Sequence, residues 1–466
     1  MASKKVHREN PQDAFDDLDL DQNALPKDPR IDEIVNKQLY ELGAHLTKPE
    51  NRDRVPGAAV VIRKNKKVIH LNCYGYANLE TGAKITPETV FDLGSLSKEF
   101  TALVILAMVD EEEIDKKDPI SKFFSEFPSY ADSVTVEDLL HHTSALPEYV
   151  KIYEKSKQVA KDWYDVAMEK SDGWYPQMAK KKAREITNKD VIQWFASQAL
   201  RPGKPNTKLE YSNSGYVLLA ELVERVNQIP FSEYLKTRFF DWMKMDNTYL
   251  FDENCNFAED APQIVNHARC YNGVKGTGFI PVGYTPLNFI YGDGNVHSTI
   301  VDLAKWDWHL DRLDYFGLVK KENFWRPAQV EKSSKRARES YRELLWEPAK
   351  IKNNKQVHYG AGWHLLRNKY EDDVEENGKL VTKTFESRTE YHRGVWLGWR
   401  GYFARGVRWV IPEDGKNIDP KTWESLGIIV LGNCSQVNTC LIAQQISQLY
   451  WGKWKKDNIM NNFNCE

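Results

Sequence analysis

Phe91-Asp-Leu-Gly-Ser-Leu-Ser-Lys-Glu-Phe100, running on into Thr101-Ala-Leu-Val-Ile-Leu-Ala-Met108, is the stretch on which the reading of the whole chain turns. The second half predicts a long helix whose inward face carries Phe100, Leu103, Val104, Ala107 and Met108. At its start Ser95 and Lys98 stand three residues apart, which puts them on one helical face with tips close enough to meet. A serine hydroxyl is a poor nucleophile until a neighbour takes its proton, and a lysine does so when burial or nearby charge favours its neutral form. The Ser95 N–H at a helix N-terminus also points where it can hold an oxyanion. The same four letters equally fit a serine N-cap beside a surface lysine, so the surrounding chain has to decide.

Upstream, Gly57-Ala-Ala-Val-Val-Ile62 and Lys67-Val-Ile-His-Leu71, parted by the polar turn Arg63-Lys-Asn-Lys66, predict a β-hairpin. Before it, Ile31, Ile34, Val35, Leu39 and Leu42 recur at helical spacing behind Pro29, so Arg30 to Leu46 is expected to be a helix. Residues 1–28 are polar and acidic and read as a mobile tail. From about 115 to 345 strand alternation is weak, and helices are expected at Val136 to His141, Asn188 to Ala199, Ser214 to Val226, Phe231 to Phe240 and Thr299 to Leu310. Lys151 to Lys182 is unusually charged and reads as an insertion. Strand candidates return at Gly360 to Leu366, Leu380 to Ser387, Glu390 to Val395, Tyr402 to Val410 and Leu426 to Gly432, and Gln436 to Trp451 closes with a helix. The expected fold is therefore α+β. One antiparallel β-sheet is built from the N- and C-terminal segments and flanked by helices, a mainly helical region is inserted between, the domain covers 29–455, and 456–466 is a tail.

With 466 residues, 41% apolar and 28% charged, the chain is long enough for a large core. A net charge of -3 without a basic stripe gives no reason to expect nucleic acid. The N-terminus lacks an apolar signal region and no run of about 18 apolar residues occurs, so no membrane association and a cytoplasmic location are expected. Six dispersed cysteines lack metal-type spacing, which argues for reduced thiols and no metal. No cofactor is expected, and the oligomeric state is left open.

Two further groups carry possible chemistry. In Tyr211-Ser-Asn213 a phenol held near a cation can relay a proton and an amide can orient a substrate carbonyl, although a plain helix cap explains Ser212 or Asn213 as well. In His392-Arg-Gly394 a strand glycine signals close approach of a ligand or backbone, with the Val395 N–H as a second oxyanion donor; a bent strand with an exposed His392 is the alternative. His141 and His142 are adjacent, point apart and have no third ligand nearby in sequence, so His142 and Thr143 are expected to fasten a loop under the site. Gly292-Asp-Gly-Asn-Val-His-Ser-Thr299 lacks the lysine and preceding strand of a phosphate loop; Ser298 or Thr299 reads as a helix cap, and the glycines let the backbone line a cleft.

Taken together and in order, Ser-x-x-Lys, Tyr-x-Asn and His-x-Gly resemble the motifs of the serine β-lactamase and penicillin-binding-protein superfamily. The branch it resembles holds class C β-lactamases, DD-peptidases, D-aminopeptidases and related esterases and transacylases. Flanking phrases are similar too: Val55-Pro-Gly-Ala-Ala-Val-Val61, Thr135-Val-Glu-Asp-Leu-Leu-His-His-Thr-Ser-Ala-Leu146, Ser298-Thr-Ile-Val-Asp-Leu-Ala-Lys-Trp306, Tyr359-Gly-Ala-Gly-Trp363 and Ile428-Ile-Val-Leu-Gly-Asn433. The resemblance implies Ser95 as the acylated nucleophile, Lys98 as its base, Tyr211 in proton transfer and Asn213 positioning the acyl substrate. It places His392 at the third-motif position, with Gly394 beside it, and gives the oxyanion hole to the N–H groups of Ser95 and Val395. Ala145 stands where the family usually has Gly, His392 replaces a Lys and Arg393 a small hydroxyl residue, which moves the expectation from β-lactams towards an esterase, peptidase or transacylase. Trp174, Trp396 and Trp399 are candidates for a cleft wall or for core. Arg393 or Arg400 fits a substrate carboxylate less well than a surface salt bridge. The expected substrate is a small-molecule ester, amide or peptide. Hydrolysis leads, acyl transfer through the same residues is second, and a non-enzymatic scaffold or filament member of the fold is third.

Overall fold

The computed structural model describes residues 18, 25–149, 186–197, 203–251, 266–282, 286–315, 345–346, 348–352, 358–376, 378–412 and 422–450. The charged stretch Lys151 to Lys182, Trp174, the segment 456–466 and most of 1–28 lie outside the described residues. The strands are β1 (Ala58–Lys64), β2 (Lys67–Tyr74), β3 (Tyr76–Asn78), β4 (Ala83–Lys84), β5 (Val90–Asp92), β6 (Tyr249–Leu250), β7 (Tyr271–Val274), β8 (Gly278–Pro281), β9 (Val296–Thr299), β10 (His364–Glu376), β11 (Lys379–Trp396), β12 (Trp399–Val410) and β13 (Glu424–Gly432). The α-helices are α1 (Pro29–Leu46), α2 (Ser97–Asp110), α3 (Val136–Leu140), α4 (Asn188–Ser197), α5 (Asn213–Asn227), α6 (Phe231–Leu235), α7 (Ile300–Tyr315) and α8 (Thr439–Tyr450). None of them is long and apolar enough to cross a membrane.

The main sheet has the order β10-β11-β12-β13-β1-β2, so the N-terminal hairpin docks on the last strand through antiparallel pairing of β1 with β13. Both faces are covered, which is why these strands are nearly continuous apolar runs. Ala59 and Val61 face the cluster holding α2 and α5, while Ala58, Val60 and Ile62 face the cluster holding α1 and α8. Helix α2 is buried from Ser97 to Met108 on every side, not on one face alone, because its centre is apolar all round. Asp28 caps α1 through the Arg30 N–H, and the Pro26 carbonyl accepts from Leu71 N–H at 2.9 Å, so residues 25–28 are tied to the domain.

Three expectations change. The candidates Leu380 to Ser387 and Glu390 to Val395 are one strand, β11, and the strand expected from Gly360 starts at His364. The central region holds short strands: β9 pairs with β5 on one side and β6 on the other as a three-stranded sheet, and β7 pairs with β8. Cys440 is disulfide-bonded, which corrects the expectation that all thiols are reduced; dispersed spacing carries no signal of such a pair. Cys73, Cys270 and Cys434 are free.

A buried ion cluster clamps α7 to the sheet. Asp307 accepts from Arg63 at 2.6 Å and from Arg405 at 3.2 Å, and Asp311, one helical turn on, accepts from Arg63 at 3.1 Å. Gly427 on β13 leaves room for Asp307, since a Cβ there would lie 1.8 Å from its Oδ2. Removing one member of such a cluster strands its partners without water. Asp307→Ala is therefore expected to lower the unfolding free energy by about 3–5 kcal/mol. Urea denaturation reads this, and a loss under about 1 kcal/mol would mean the arginines find other partners.

Candidate active site

Ser95 lies in a 3-10 turn, Gly94–Leu96, that runs directly into α2. Lys98, in the first turn of α2, is fully buried. Its Nζ donates to Ser95 Oγ at 3.1 Å, Asn213 Oδ1 at 2.8 Å and the Asp293 carbonyl at 2.6 Å. An ammonium has three hydrogens and no lone pair, so three acceptors satisfy it completely. The Asn213 and Asp293 oxygens can only accept here, whereas the serine hydroxyl can also donate. When the amine gives up one hydrogen, its lone pair is therefore directed to Ser95 Oγ. The surface-lysine reading is excluded.

The elements that hold the acceptors are pinned to α2. Thr101 Oγ1 donates to the Gly292 carbonyl at 2.7 Å, and the Val296 N–H donates to Ser97 Oγ at 2.9 Å. Thr299 Oγ1 caps α7 by accepting from the Asp302 N–H. Asn213 opens α5, and its Nδ2 donates to Glu148 Oε2 at 3.0 Å.

The nucleophile turn lies against β11 without intervening side chains. Gly94 has φ +51°, and a Cβ on it would stand 2.9 Å from Val395 N. A Cβ on Gly394 would fall 2.0 Å from the Leu93 carbonyl, and Gly401, opposite Gly394 across the sheet, leaves space for Leu96. Only glycine permits this approach. It brings the backbone of Ser95 and Val395 to one cleft, which both residues line.

Tyr211 enters by its ring, 5.0 Å from Lys98 Nζ and 4.3 Å from the His142 ring. It is 38% exposed. His142 is buried; its Nδ1 accepts from the Ser212 N–H at 3.1 Å and its carbonyl accepts from the Glu210 N–H at 2.8 Å. It thus fastens the Tyr211 loop as expected, and burial, with Lys98 nearby, pushes its pKa well below the ordinary histidine value. His392 is buried, not exposed. Its Nδ1 faces the Arg393 carbonyl at 2.8 Å and so donates, leaving Nε2 to accept from Tyr359 OH at 3.3 Å. Burial lowers its pKa strongly as well, and it is not among the residues lining the cleft.

The cleft wall holds residues the sequence did not single out: Asp92, Tyr149 and Asp293. Asp293 Oδ2 accepts from Tyr149 OH at 2.9 Å, and Asp92 Oδ1 accepts from the Gly94 N–H at 2.8 Å. Burial raises Asp92 to about 7 and Asp293 to about 6. The signal was the aspartate inside Gly292-Asp-Gly294, read only for its glycines. Trp396 lines the cleft, whereas Trp399 is core, edge-on to Phe91. Among the described residues Arg400 makes no surface salt bridge; it donates to the carbonyls of Leu397, Trp399 and Ser435.

A family model described as Beta-lactamase matches residues 38–446, and the chain belongs to the Beta-lactamase family. Penicillin-binding protein 4* of Bacillus subtilis (strain 168) is 25% identical over 362 residues, 75% of this chain and 65% of that protein. The teichoic acid D-alanine hydrolase of Staphylococcus aureus is 24% identical over 281 residues, 60% of this chain and 56% of that protein. The chain thus spans less than two thirds of the length of these relatives. The octameric penicillin-binding protein homologue from Pyrococcus abyssi superposes with a TM-score of 0.59 at 22% identity, over 93% of this chain and 80% of that one. That likeness establishes the fold.

Two outcomes follow from the loop under Tyr211. Ala145 stands at φ +56°, a conformation that costs a side chain about 1–2 kcal/mol and glycine far less. Ala145→Gly is expected to raise stability by about 0.5–1 kcal/mol in thermal or urea unfolding, and an unchanged or lower value would refute the strain. His142, at φ +56°, stays neutral when folded but takes a proton near pH 6.5 when unfolded. Its share of stability is therefore complete above about pH 6.5 and declines as pH falls below it, by up to about 1.4 kcal/mol per pH unit. His142→Asn keeps an acceptor for Ser212, suits positive φ and cannot titrate. It should be the less stable protein at pH 7.5, through lost ring packing, and the gap should narrow towards pH 5.5; parallel stability curves would contradict this.

Proposed function

We propose that this member of the Beta-lactamase family is a serine hydrolase of ester or amide bonds that works through an acyl-enzyme at Ser95. The observation that carries the reading is the 3.1 Å contact from Lys98 Nζ to Ser95 Oγ, with both other directions of the amine closed by acceptors. In this reading the neutral amine takes the hydroxyl proton as Oγ bonds to the acyl carbon. The carbonyl oxygen gains charge facing the N–H groups of Ser95 and Val395, on the two backbones that the glycines bring together. The proton on Lys98 then passes to the departing alcohol or amine, with Tyr211 beside it as relay. Water deprotonated by the same pair attacks the ester, and Ser95 leaves with the proton. Asn213 holds Lys98 through Oδ1, and its Nδ2 turns from Glu148 to the acyl amide or carbonyl of a substrate.

His392 moves the reading away from β-lactams. A third-motif lysine would offer a permanent cation to a substrate carboxylate; His392 is buried, is kept neutral and has Nε2 engaged by Tyr359. Its part is to brace Tyr359, which packs 4.5 Å from His142.

A fluorophosphonate probe should add to the wild-type chain once, at Ser95 by peptide mass, and not to Ser95→Ala. Lys98→Ala should slow the labelling by about 10²–10⁴-fold. Nitrocefin should be turned over far more slowly than p-nitrophenyl esters. Equal labelling of Ser95→Ala and wild type would falsify the assignment.

A further inference from the structure

The sheet order places β10 at one edge of the main sheet. Its Leu365 N–H points away from β11 and donates to the His358 carbonyl at 3.0 Å. Pairing of β10 with β11 runs without a register shift from His364 to Glu376. Arg367, Lys369, Glu371 and Asp373 therefore turn their backbone N–H and C=O groups to the same outer side as Leu365. Among the described residues, the outward groups of Lys369 and Glu371 meet no partner.

Half of this strand also runs past the rest of the sheet. β12 ends at Val410, opposite Phe385 of β11, whereas β10 and β11 continue together to Glu376 and Lys379. Beyond Tyr370, among the described residues, they form a two-stranded ribbon that β12 follows only as far as the Ile411 N–H, which donates to the Thr384 carbonyl at 2.8 Å. Near its tip Leu380 is 76% exposed. Two strands alone are marginal in water, and an open edge is a template for a further strand.

The charges select that strand. Arg367, Lys369, Glu371 and Asp373 are exposed on one face of β10, two cations followed by two anions. An antiparallel copy centred on Tyr370 sets Lys369 opposite the partner's Glu371 and Arg367 opposite the partner's Asp373, and symmetry repeats both pairs. On the other face half-buried Leu366 meets the partner's Val374. A parallel copy in the same register would set like charges together. Sliding the antiparallel copy by two residues would put Glu371 or Lys369 opposite itself, which is unfavourable. Lys369 faces Glu386 across β11, yet neither Lys369 nor Glu371 is in an ion pair among the described residues. Arg367 and Asp373 keep the bonds they have, to the Trp346 carbonyl and from Thr382 Oγ1, both at 2.6 Å.

We infer that the outer edge of β10 pairs antiparallel with the same edge of a second copy of this chain, about a two-fold axis at Tyr370, so that two six-stranded sheets join into one. Each projecting ribbon then lies along the sheet edge of the other copy. The surface is self-complementary, and it is separate from the cleft at Ser95.

Sedimentation velocity of the full chain across a dilution series tests this. The wild type should be a dimer that dissociates on dilution and more readily in high salt. Lys369→Glu sets a carboxylate opposite the partner's Glu371 twice over, and should weaken the dimer by about 10- to 100-fold. Glu371→Lys should do the same, and the double variant Lys369→Glu with Glu371→Lys should restore the dimer to within about threefold of the wild type, because the pairs are only reversed. Far-UV circular dichroism checks that each variant is folded. Tyr370→Cys should form a disulfide between copies under mild oxidation, since residues on the axis approach to about 4.5 Å between Cα atoms. Leu366→Cys, about 27 Å from its own copy, should not. A monomeric wild type, which would leave the edge to some other strand, would overturn the inference. So would a dimer that Lys369→Glu leaves unchanged, a double variant no tighter than the single ones, or equal cross-linking at the two cysteine positions.

Discussion

A lysine amine with no access to water has to find an acceptor for each hydrogen, because leaving one unmade costs about as much as a sizeable part of a domain's net stability. At Lys98 the acceptors come from its own turn, from a residue 115 positions later and from one 195 positions later. This constraint organises the centre of the molecule. It fixes the start of α5 and the Gly292–Gly294 loop against α2, and the contacts of Thr101 and Ser97 hold the same loop from below. Ser95, nearly one turn before Lys98, inherits its position from that arrangement.

The sheet supplies the second half of the geometry. Backbone-to-backbone approach of the Leu93–Leu96 turn to β11 requires Gly94, Gly394 and Gly401 together, since a Cβ at any of them would meet neighbouring atoms within 3 Å. That close seat is stable only if β11 is itself held rigidly. It pairs on both sides, with β10 and β12, and its buried Arg388 and Glu390 pair with each other while Glu390 reaches Arg405, the arginine shared with Asp307. The ion cluster that clamps α7 is thus continuous with the strand that faces Ser95. Charges buried in this way stabilise little over apolar packing, but any other register of β11 would leave them unpaired.

Most of the framework was legible in the sequence because its signals are local. The helix behind Pro29, the hairpin around Arg63-Lys-Asn-Lys66 and the apolar run ending at Gly432 follow from period and turn chemistry. What failed was where a distant partner overrides the local pattern. Arg388-Thr389 reads as a polar break between two strands, yet Ser387 to Glu390 are all buried within β11, because Arg388 stacks 4.6 Å from the Trp346 ring and its charge is met by Glu390. Gly362 looked like strand and is a turn, at φ +82° against the backbone of Lys98 and Glu99. The short strands β6 and β9 have too few residues to show a period. In the candidate site, Ser95, Lys98, Asn213 and the Gly394–Val395 backbone meet as the motifs imply. The burial of His392 and the placing of Asp92, Tyr149 and Asp293 depend on contacts between segments far apart in the chain, which no spacing encodes.

The charge of the cleft separates what the fold settles from what it does not. A common scaffold with a Ser-x-x-Lys turn can bring a hydroxyl, an amine and two backbone N–H groups together for any acyl group. Selection among acyl groups falls to the side chains around that centre. Here the third motif offers a buried neutral ring whose Nε2 is already bonded, so it adds no positive field to the cleft. The cleft lining adds two carboxyls, Asp92 and Asp293, that burial raises towards neutrality. Carboxyls placed so deep cost stability, which Lys98 offsets in part at Asp293, and they also hold structure: Asp92 accepts from the Gly94 N–H and Asp293 anchors Tyr149. The fold that frames Ser95 is therefore common ground, and the side chains that line the cleft are what distinguish this chain's site.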